Sequence, residues 1–145
     1  LDLRTTGFAT RRPTIVAEVL SRIQAGEAPQ LIREVADAHL GEAIEGVHWQ
    51  LLSVEELCSL AAEIGPVGLG KLMHHFVQDP RRAWSGMPDL LVLPGHSPGL
   101  PCGLLLAEIK GPGDQLRDNQ RCWHHGLLQA GLPVEVWRVE DGPAC

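Results

Sequence analysis

The chain has 145 residues, of which 44% are hydrophobic and 21% charged, and its formal net charge is −6. This length suits one domain with a real core, and no apolar run approaches the roughly 20 residues that a membrane helix requires, so no membrane partner is expected. The negative charge argues against non-specific electrostatic binding of nucleic acid over the whole surface of the chain, because Lys and Arg supply most non-specific affinity for phosphates.

The first half of the chain has the pattern of helices. Pro13 is typical of a helix start. Ser53 with Glu56 forms a capping-box pattern at the start of a later helix. Pro80 is expected to end the last of them. Apolar residues at helical spacing and these signals predict four helices, at residues 13–26, 28–42, 53–65 and 68–79.

The second half has the pattern of strands around one helix. The apolar runs DLLVL and GLLLAEIK predict buried strands at residues 89–93 and 103–110, joined by a turn rich in Pro and Gly. A helix is expected at residues 115–131 and an alternating strand at residues 133–139. The order β-β-α-β predicts an α/β core whose last strand pairs in parallel through a crossover.

Charged residues interrupt these apolar strands. Alternation places Glu108 and Lys110 on one face of their strand, with Ile109 on the other. A hairpin partner that starts at Asp89 brings a second carboxylate toward the same end. Two carboxylates suit a hard divalent cation, Mg²⁺ or Mn²⁺, and a nearby ammonium suits the negative charge of a phosphate. The constellation predicts phosphodiester hydrolysis.

A simpler interpretation uses the same residues. A Pro-Asp followed some twenty residues later by Glu-x-Lys also arises by chance. In that case Asp89 is a surface turn residue, and Glu108 with Lys110 is an ion pair at a strand end worth less than about 1 kcal/mol.

Longer motifs carry a family resemblance. GMPDLLVL, followed by LLLAEIKGPGDQLRDNQRCWHHGLLQAGLPVEVWRV, resembles the VRR-NUC domain, a branch of the PD-(D/E)xK nuclease superfamily, and most of all the Fanconi-anaemia-associated nuclease family. LDLRTTGFATRRP and GPVGLGKLMHHF in the helical half are also similar to that family, so the resemblance covers nearly the whole chain.

The resemblance implies a fold and an activity. The fold is a restriction-endonuclease-like α/β core, a small mixed sheet flanked by helices, preceded by a helical segment. The activity is that of a metal-dependent, structure-selective DNA nuclease that cuts 5′ flaps and digests DNA 5′ to 3′ in interstrand cross-link repair. Flap or branched DNA is then the partner, Mg²⁺ or Mn²⁺ the cofactor, and the protein is intracellular, in the cytoplasm of a bacterium or the nucleus of a eukaryote.

By position, the resemblance also implies roles for individual residues. Asp89 and Glu108 bind the metal together with the backbone carbonyl of Ile109, and Lys110 is the catalytic lysine. Asp89, Glu108 and Lys110 are therefore the expected catalytic set. Gln120 supports the site or contacts the substrate backbone.

The family adds one more metal-binding glutamate, on a helix upstream of the segment resembling LDLRTTGF. We therefore expect residues 1–145 to be a single nuclease domain from the C-terminal part of a larger protein, with a helical part at 1–80 and a catalytic core at 81–145. Upstream domains of the same protein are expected partners. The chain by itself is expected to be weak or inactive.

Other residues leave alternatives open. Arg81 and Arg82 precede the Gly-x-Pro-Asp turn, where they either contact a DNA phosphate or form a solvated helix end. Cys122 and His125 have the local spacing of zinc ligands, although no second pair accompanies them. The competing function is a non-catalytic DNA-binding or protein-interaction module that keeps the nuclease scaffold.

Overall fold

The computed structural model describes residues 7–44, 47–92 and 105–140. The chain forms two compact units, Leu1–Pro80 and Arg81–Cys145. The helices of the first unit are α1 (Phe8–Arg11), α2 (Pro13–Gln24), α3 (Ala28–His39), α4 (Val54–Ile64) and α5 (Pro66–Gln78). The elements that follow are α6 (Pro80–Gly86), β1 (Leu90–Val92), β2 (Leu105–Lys110), α7 (Asp118–Gln129) and β3 (Val134–Arg138).

The first unit is helical, as its periodicity predicts. α3 packs on α4 and α2 packs on α5, around the buried side chains of Ile23, Ala28 and Ala61. The predicted capping box is present: Ser53 Oγ accepts from the backbone N–H of Glu56 at 3.3 Å, and Glu56 Oε2 accepts from the backbone N–H of Ser53 at 2.7 Å. None of the described helices is both long and apolar enough to cross a membrane.

Two prolines begin helices where the sequence analysis placed none. α5 starts at Pro66, not at Gly68, and Pro80 starts α6 as well as following α5. Proline is favoured in the first turn of a helix because its missing N–H has no intrahelical partner there. The expectation that Pro80 only ends a helix was therefore incomplete.

The second unit contains a mixed sheet in the order β1-β2-β3. β1 is antiparallel to β2, with Leu90 opposite Ala107, and β3 is parallel to β2, with Val136 opposite Glu108. α7 forms the crossover between β2 and β3. The predicted hairpin pairing, parallel last strand and small mixed sheet flanked by helices are confirmed.

Some element ends differ from the prediction. α7 begins at Asp118 and not at residue 115, because Gly113 has a φ of 81° and Arg117 is extended with a ψ of 159°. Residue 93 of the first predicted strand and residues 103–104 of the second lie outside the described part of the chain.

Close packing of α6 on α7 positions the turn that leads into β1. Trp123 is 2% exposed, and its Nε1–H donates to the carbonyl of Ala83 at 2.7 Å. Asn119 Nδ2 donates to the carbonyl of Ser85 at 2.9 Å. A Cβ on Gly86 would lie 2.6 Å from Trp123 Cδ1 and 2.7 Å from the carbonyl oxygen of Asn119. Only glycine allows this approach without displacement of backbone.

Candidate active site

Two charged side chains of β2 are buried on the same face of the sheet. Glu108 is 1% exposed and Lys110 is 7% exposed. Lys110 Nζ donates to Glu108 Oε1 at 2.8 Å. Strand alternation predicted that they share a face. The pair lies at the strand end, as in the simpler interpretation, but it is buried, so the small value of a surface ion pair does not apply to it. Buried charges are costly unless they are paired and hydrogen-bonded.

Gln120 of α7 completes this arrangement from the facing helix. Its Nε2 donates to Glu108 Oε1. Its Oε1 accepts from Lys110 Nζ at 3.2 Å and from the backbone N–H of Arg117 at 3.0 Å. A carboxylate only accepts and an ammonium or backbone N–H only donates, so the chemistry permits one orientation of the amide. We call Glu108, Lys110 and Gln120 the buried polar cluster.

The second oxygen of Glu108 is different from the first. Glu108 Oε2 is buried and has no hydrogen-bond partner among the described residues. A buried carboxylate oxygen without a partner loses solvation with no compensation, and such atoms are rare in folded proteins. Glu108 Oε2 is therefore suited to bind a group that the described residues do not supply.

Asp89 immediately precedes the neighbouring strand β1 and is exposed. Continued by one residue, the register that pairs Leu90 with Ala107 brings Asp89 opposite Glu108. Asp89 Oδ2 accepts from the backbone N–H of Ile109 at 2.9 Å. Because the N–H and C=O of a strand residue point to the same side, the carbonyl of Ile109 faces the edge at which Asp89 lies.

These oxygen atoms fit a hard cation. Two carboxylates and one backbone carbonyl are ligands that Mg²⁺ or Mn²⁺ accepts while it keeps several waters, and Glu108 Oε2 is an unpartnered oxygen on one of them. Within the described ranges, no three side chains of His, Cys, Asp or Glu lie close enough together to hold a metal. The donor set is therefore small, and water or further ligands are needed to complete it.

A cavity of about 390 Å³ lies beside the end of β2. Asp114 holds the loop that follows β2 and lines this cavity. Its Oδ2 accepts from the backbone N–H of Gly111 at 3.2 Å, and its carbonyl accepts from Arg138 Nη1 at 3.3 Å. The lining begins at Gly111, the residue after Lys110, and includes no residue of the buried polar cluster. The lining residues are Gly111, Pro112, Gly113, Arg138, Val139 and Glu140.

His124 is a polar residue of this region that sequence reasoning did not assign to the site. It follows Gln120 by one helical turn of α7, and its Nε2 is buried without a partner among the described residues. Burial lowers the pKa of the imidazole, while the charge of Glu108 raises it and that of Lys110 lowers it further. The spacing of four residues from Gln120 was the signal in the sequence.

The remaining candidates are less closely connected with the cluster. Arg81 lies on α6 and is exposed, and the side chain of Arg82 lies outside the described part of the structure. Cys122 and His125, considered as zinc ligands, are both exposed on α7. The structure thus brings together Glu108, Lys110 and Gln120, with Asp89 immediately before the adjacent strand β1.

Comparisons with known proteins support the family expected from the motifs. The VRR-NUC domain model matches residues 23–141. The chain is 34% identical over 139 residues to the Fanconi-associated nuclease 1 homolog of Arabidopsis thaliana. This alignment covers 96% of this chain and 16% of the relative. It is 30% identical over 146 residues to the homolog of Pseudomonas aeruginosa, covering 97% of this chain and 25% of the relative.

A solved structure shows the same fold. The chain is similar to the crystal structure of paFAN1 bound to 2-nt 5′-flap DNA with a gap, with a TM-score of 0.77 and 28% identity, over 97% of this chain and 26% of that one. The chain thus spans about a quarter or less of the length of these relatives. On the family model and the curated relatives together, the chain belongs to the VRR-NUC domain family.

Proposed function

We propose that this chain is the nuclease domain of a divalent-metal-dependent DNA nuclease. The observation that carries the proposal is the buried Glu108 carboxylate, of which one oxygen is held by Lys110 and Gln120 while the other has no partner among the described residues. Membership of a nuclease family supports the same reaction class.

Asp89 and Glu108, with the carbonyl of Ile109, are the residues that we propose hold the cation. When bound, Mg²⁺ or Mn²⁺ supplies Lewis-acid activation of water and neutralises charge on the phosphate. Ile109 contributes in a second way, because its N–H donates to Asp89 Oδ2 and so restrains that carboxylate at the sheet edge.

Lys110 and Gln120 orient the Glu108 carboxylate by donating hydrogen bonds to one of its oxygens. Their donors converge on Oε1, which leaves Oε2 as the oxygen available to a cation. We also propose that the Lys110 ammonium stabilises the negative charge that a phosphate accumulates during hydrolysis. Gln120 fixes the ammonium through Oε1 and is itself held by the N–H of Arg117.

The substrate that we propose is DNA with a 5′ flap. Structures of paFAN1 were determined with 5′-flap DNA carrying a flap of one or two nucleotides, and relatives are called Fanconi-associated nucleases. For the protein as a whole we propose 5′-flap cleavage, 5′ to 3′ digestion and a role in interstrand cross-link repair, as the family resemblance implies. We also propose that upstream domains of the same protein provide a further metal ligand. The same domains would provide most of the affinity for DNA, because the net charge of this chain is −6.

The test is cleavage of a labelled 5′-flap DNA with Mn²⁺ or Mg²⁺, on this chain alone and on the longest form of its protein. We expect Asp89→Ala, Glu108→Gln and Lys110→Ala each to reduce cleavage at least 100-fold in the active form, while Glu63→Gln on the exposed surface of α4 has no effect. Full cleavage by all three variants would reject the proposal. Folded protein that binds DNA without cutting it in either form would favour a non-catalytic binding module.

A further inference from the structure

We infer that His124 is a positioning residue of this site, and that His124 Nε2 and Glu108 Oε2 hold one water molecule between them at the cation site. This inference rests on the proposed function. It assigns a role in the site to a histidine of α7 that is neither one of the three catalytic candidates nor a contact of the buried polar cluster.

The placement of His124 on α7 directs its ring toward the cluster. It lies four residues after Gln120 and three before Leu127, and both of those side chains are buried; the Gln120 side chain contacts β2. A helical side chain leans toward the N-terminus, over the preceding turn. The imidazole of His124 therefore leans toward Gln120, whose amide contacts Glu108 and Lys110.

Two buried polar atoms in this region lack partners. Within the described structure, Glu108 Oε2 and His124 Nε2 are both buried with no hydrogen bond. They do not bond each other, but His124 lies one turn of α7 after Gln120, whose Nε2 donates to the other oxygen of Glu108. Buried polar atoms that have no protein partner are commonly satisfied by a water, which needs at least two polar partners in a buried site.

This arrangement resembles the outer shell of metal sites in general. Groups that hydrogen-bond to the ligands of a metal hold those ligands in the right orientation. Loss of such a group typically costs about 10–100-fold in metal affinity or activity. His124 would act through the water that it shares with Glu108, and not as a ligand, because His124, Glu108 and Asp89 do not form a metal-holding group in the described structure.

The experiment measures Mn²⁺ binding by titration calorimetry, with no DNA present, on wild type, His124→Leu, His124→Gln and Glu108→Gln. The matched control is His125→Leu, which removes the next histidine of α7, an exposed one. We expect His124→Leu to weaken binding about tenfold, His124→Gln to weaken it less because an amide can hold the water, and His125→Leu to leave it unchanged.

A second measurement needs no variant of His124 and so does not depend on how well the variants fold. In ¹⁵N-labelled wild type, Mg²⁺ should shift the ring-nitrogen resonances of His124 and leave those of His125 in place. If Glu108→Gln weakens Mn²⁺ binding but His124→Leu does not, and Mg²⁺ leaves the His124 ring unchanged, the inference is overturned while the proposed function stands. If Glu108→Gln also binds Mn²⁺ like wild type, the proposed cation site fails and the inference fails with it.

Discussion

Lys110 Nζ lies 2.8 Å from Glu108 Oε1, and both side chains are buried on one face of β2. Strand interiors rarely carry charge, so this pair accounts for the Glu-x-Lys inside an apolar run. Its net contribution to stability is expected to be small, since desolvation offsets much of the attraction. The pair is better explained by the carboxylate oxygen that it leaves available at Glu108 Oε2.

Removal of the lysine should destabilise the protein strongly. Lys110→Met leaves the Glu108 carboxylate buried without its cationic partner, and we expect the free energy of unfolding to fall by about 3–5 kcal/mol. The double variant Glu108→Gln with Lys110→Met should lose less, because it removes the uncompensated charge. Urea denaturation of the wild type, both single variants and the double variant measures this coupling. Strictly additive losses would contradict it.

Gln120 should be important for stability as well as for the site. Gln120→Met removes the donor to Glu108 and the acceptor for Lys110 and for the N–H of Arg117. We expect the free energy of unfolding to fall by about 1–3 kcal/mol, since buried groups lose partners. The matched control is Gln115→Met, at an exposed position before α7. Equal losses of stability for the two variants in thermal denaturation would show that the buried contacts of Gln120 do not stabilise the protein.

Gly86 should not accept a side chain. The Cβ in Gly86→Ala would lie 2.6 Å from Trp123 Cδ1 and 2.7 Å from the backbone oxygen of Asn119, so α6 and α7 have to separate. We expect a loss of about 1–3 kcal/mol in unfolding free energy, the range for overpacked sites.

The control for Gly86 is Gly70→Ala in α5. There the added Cβ meets the Gln24 side chain at 3.1 Å, and alanine has the higher helix propensity. We expect stability to change by less than about 1 kcal/mol in this control. A Gly86→Ala protein with wild-type stability in chemical denaturation would show that the close approach of α6 to α7 is absent in solution.

His124 should make stability depend on pH in a defined direction. Burial lowers the pKa of its imidazole in the folded protein below the ordinary value, which is about 6.5. As pH falls through that value, the unfolded chain takes up a proton before the folded one does, so this contribution to stability is complete above about pH 6.5 and is lost below it. His124→Leu should therefore show a shallower fall in unfolding free energy between about pH 7.5 and 5.5 than wild type. The measurement is denaturation in EDTA, and equal slopes would contradict it.

Local features were predictable from sequence because a few neighbouring residues determine them. Ser53 and Glu56 meet within one helical turn, so their capping box could be predicted and is present. Glu108 and Lys110 alternate on one strand, so their common face followed from the pleat alone. The mixed sheet followed from element order and connection length, and the long motif around these residues identified the family.

Tertiary structure decided what depends on contacts between distant segments. The contact of Gln120 with Glu108 and Lys110 exists because α7 packs against the sheet, and the Nε2 of His124 is buried on the same helix. No periodicity shows that Gly86 touches Trp123. Sequence by itself therefore determined which residue types occupy each strand and helix face. Only packing decided which of them are desolvated against one another, because burial and partner choice depend on all the elements around a side chain.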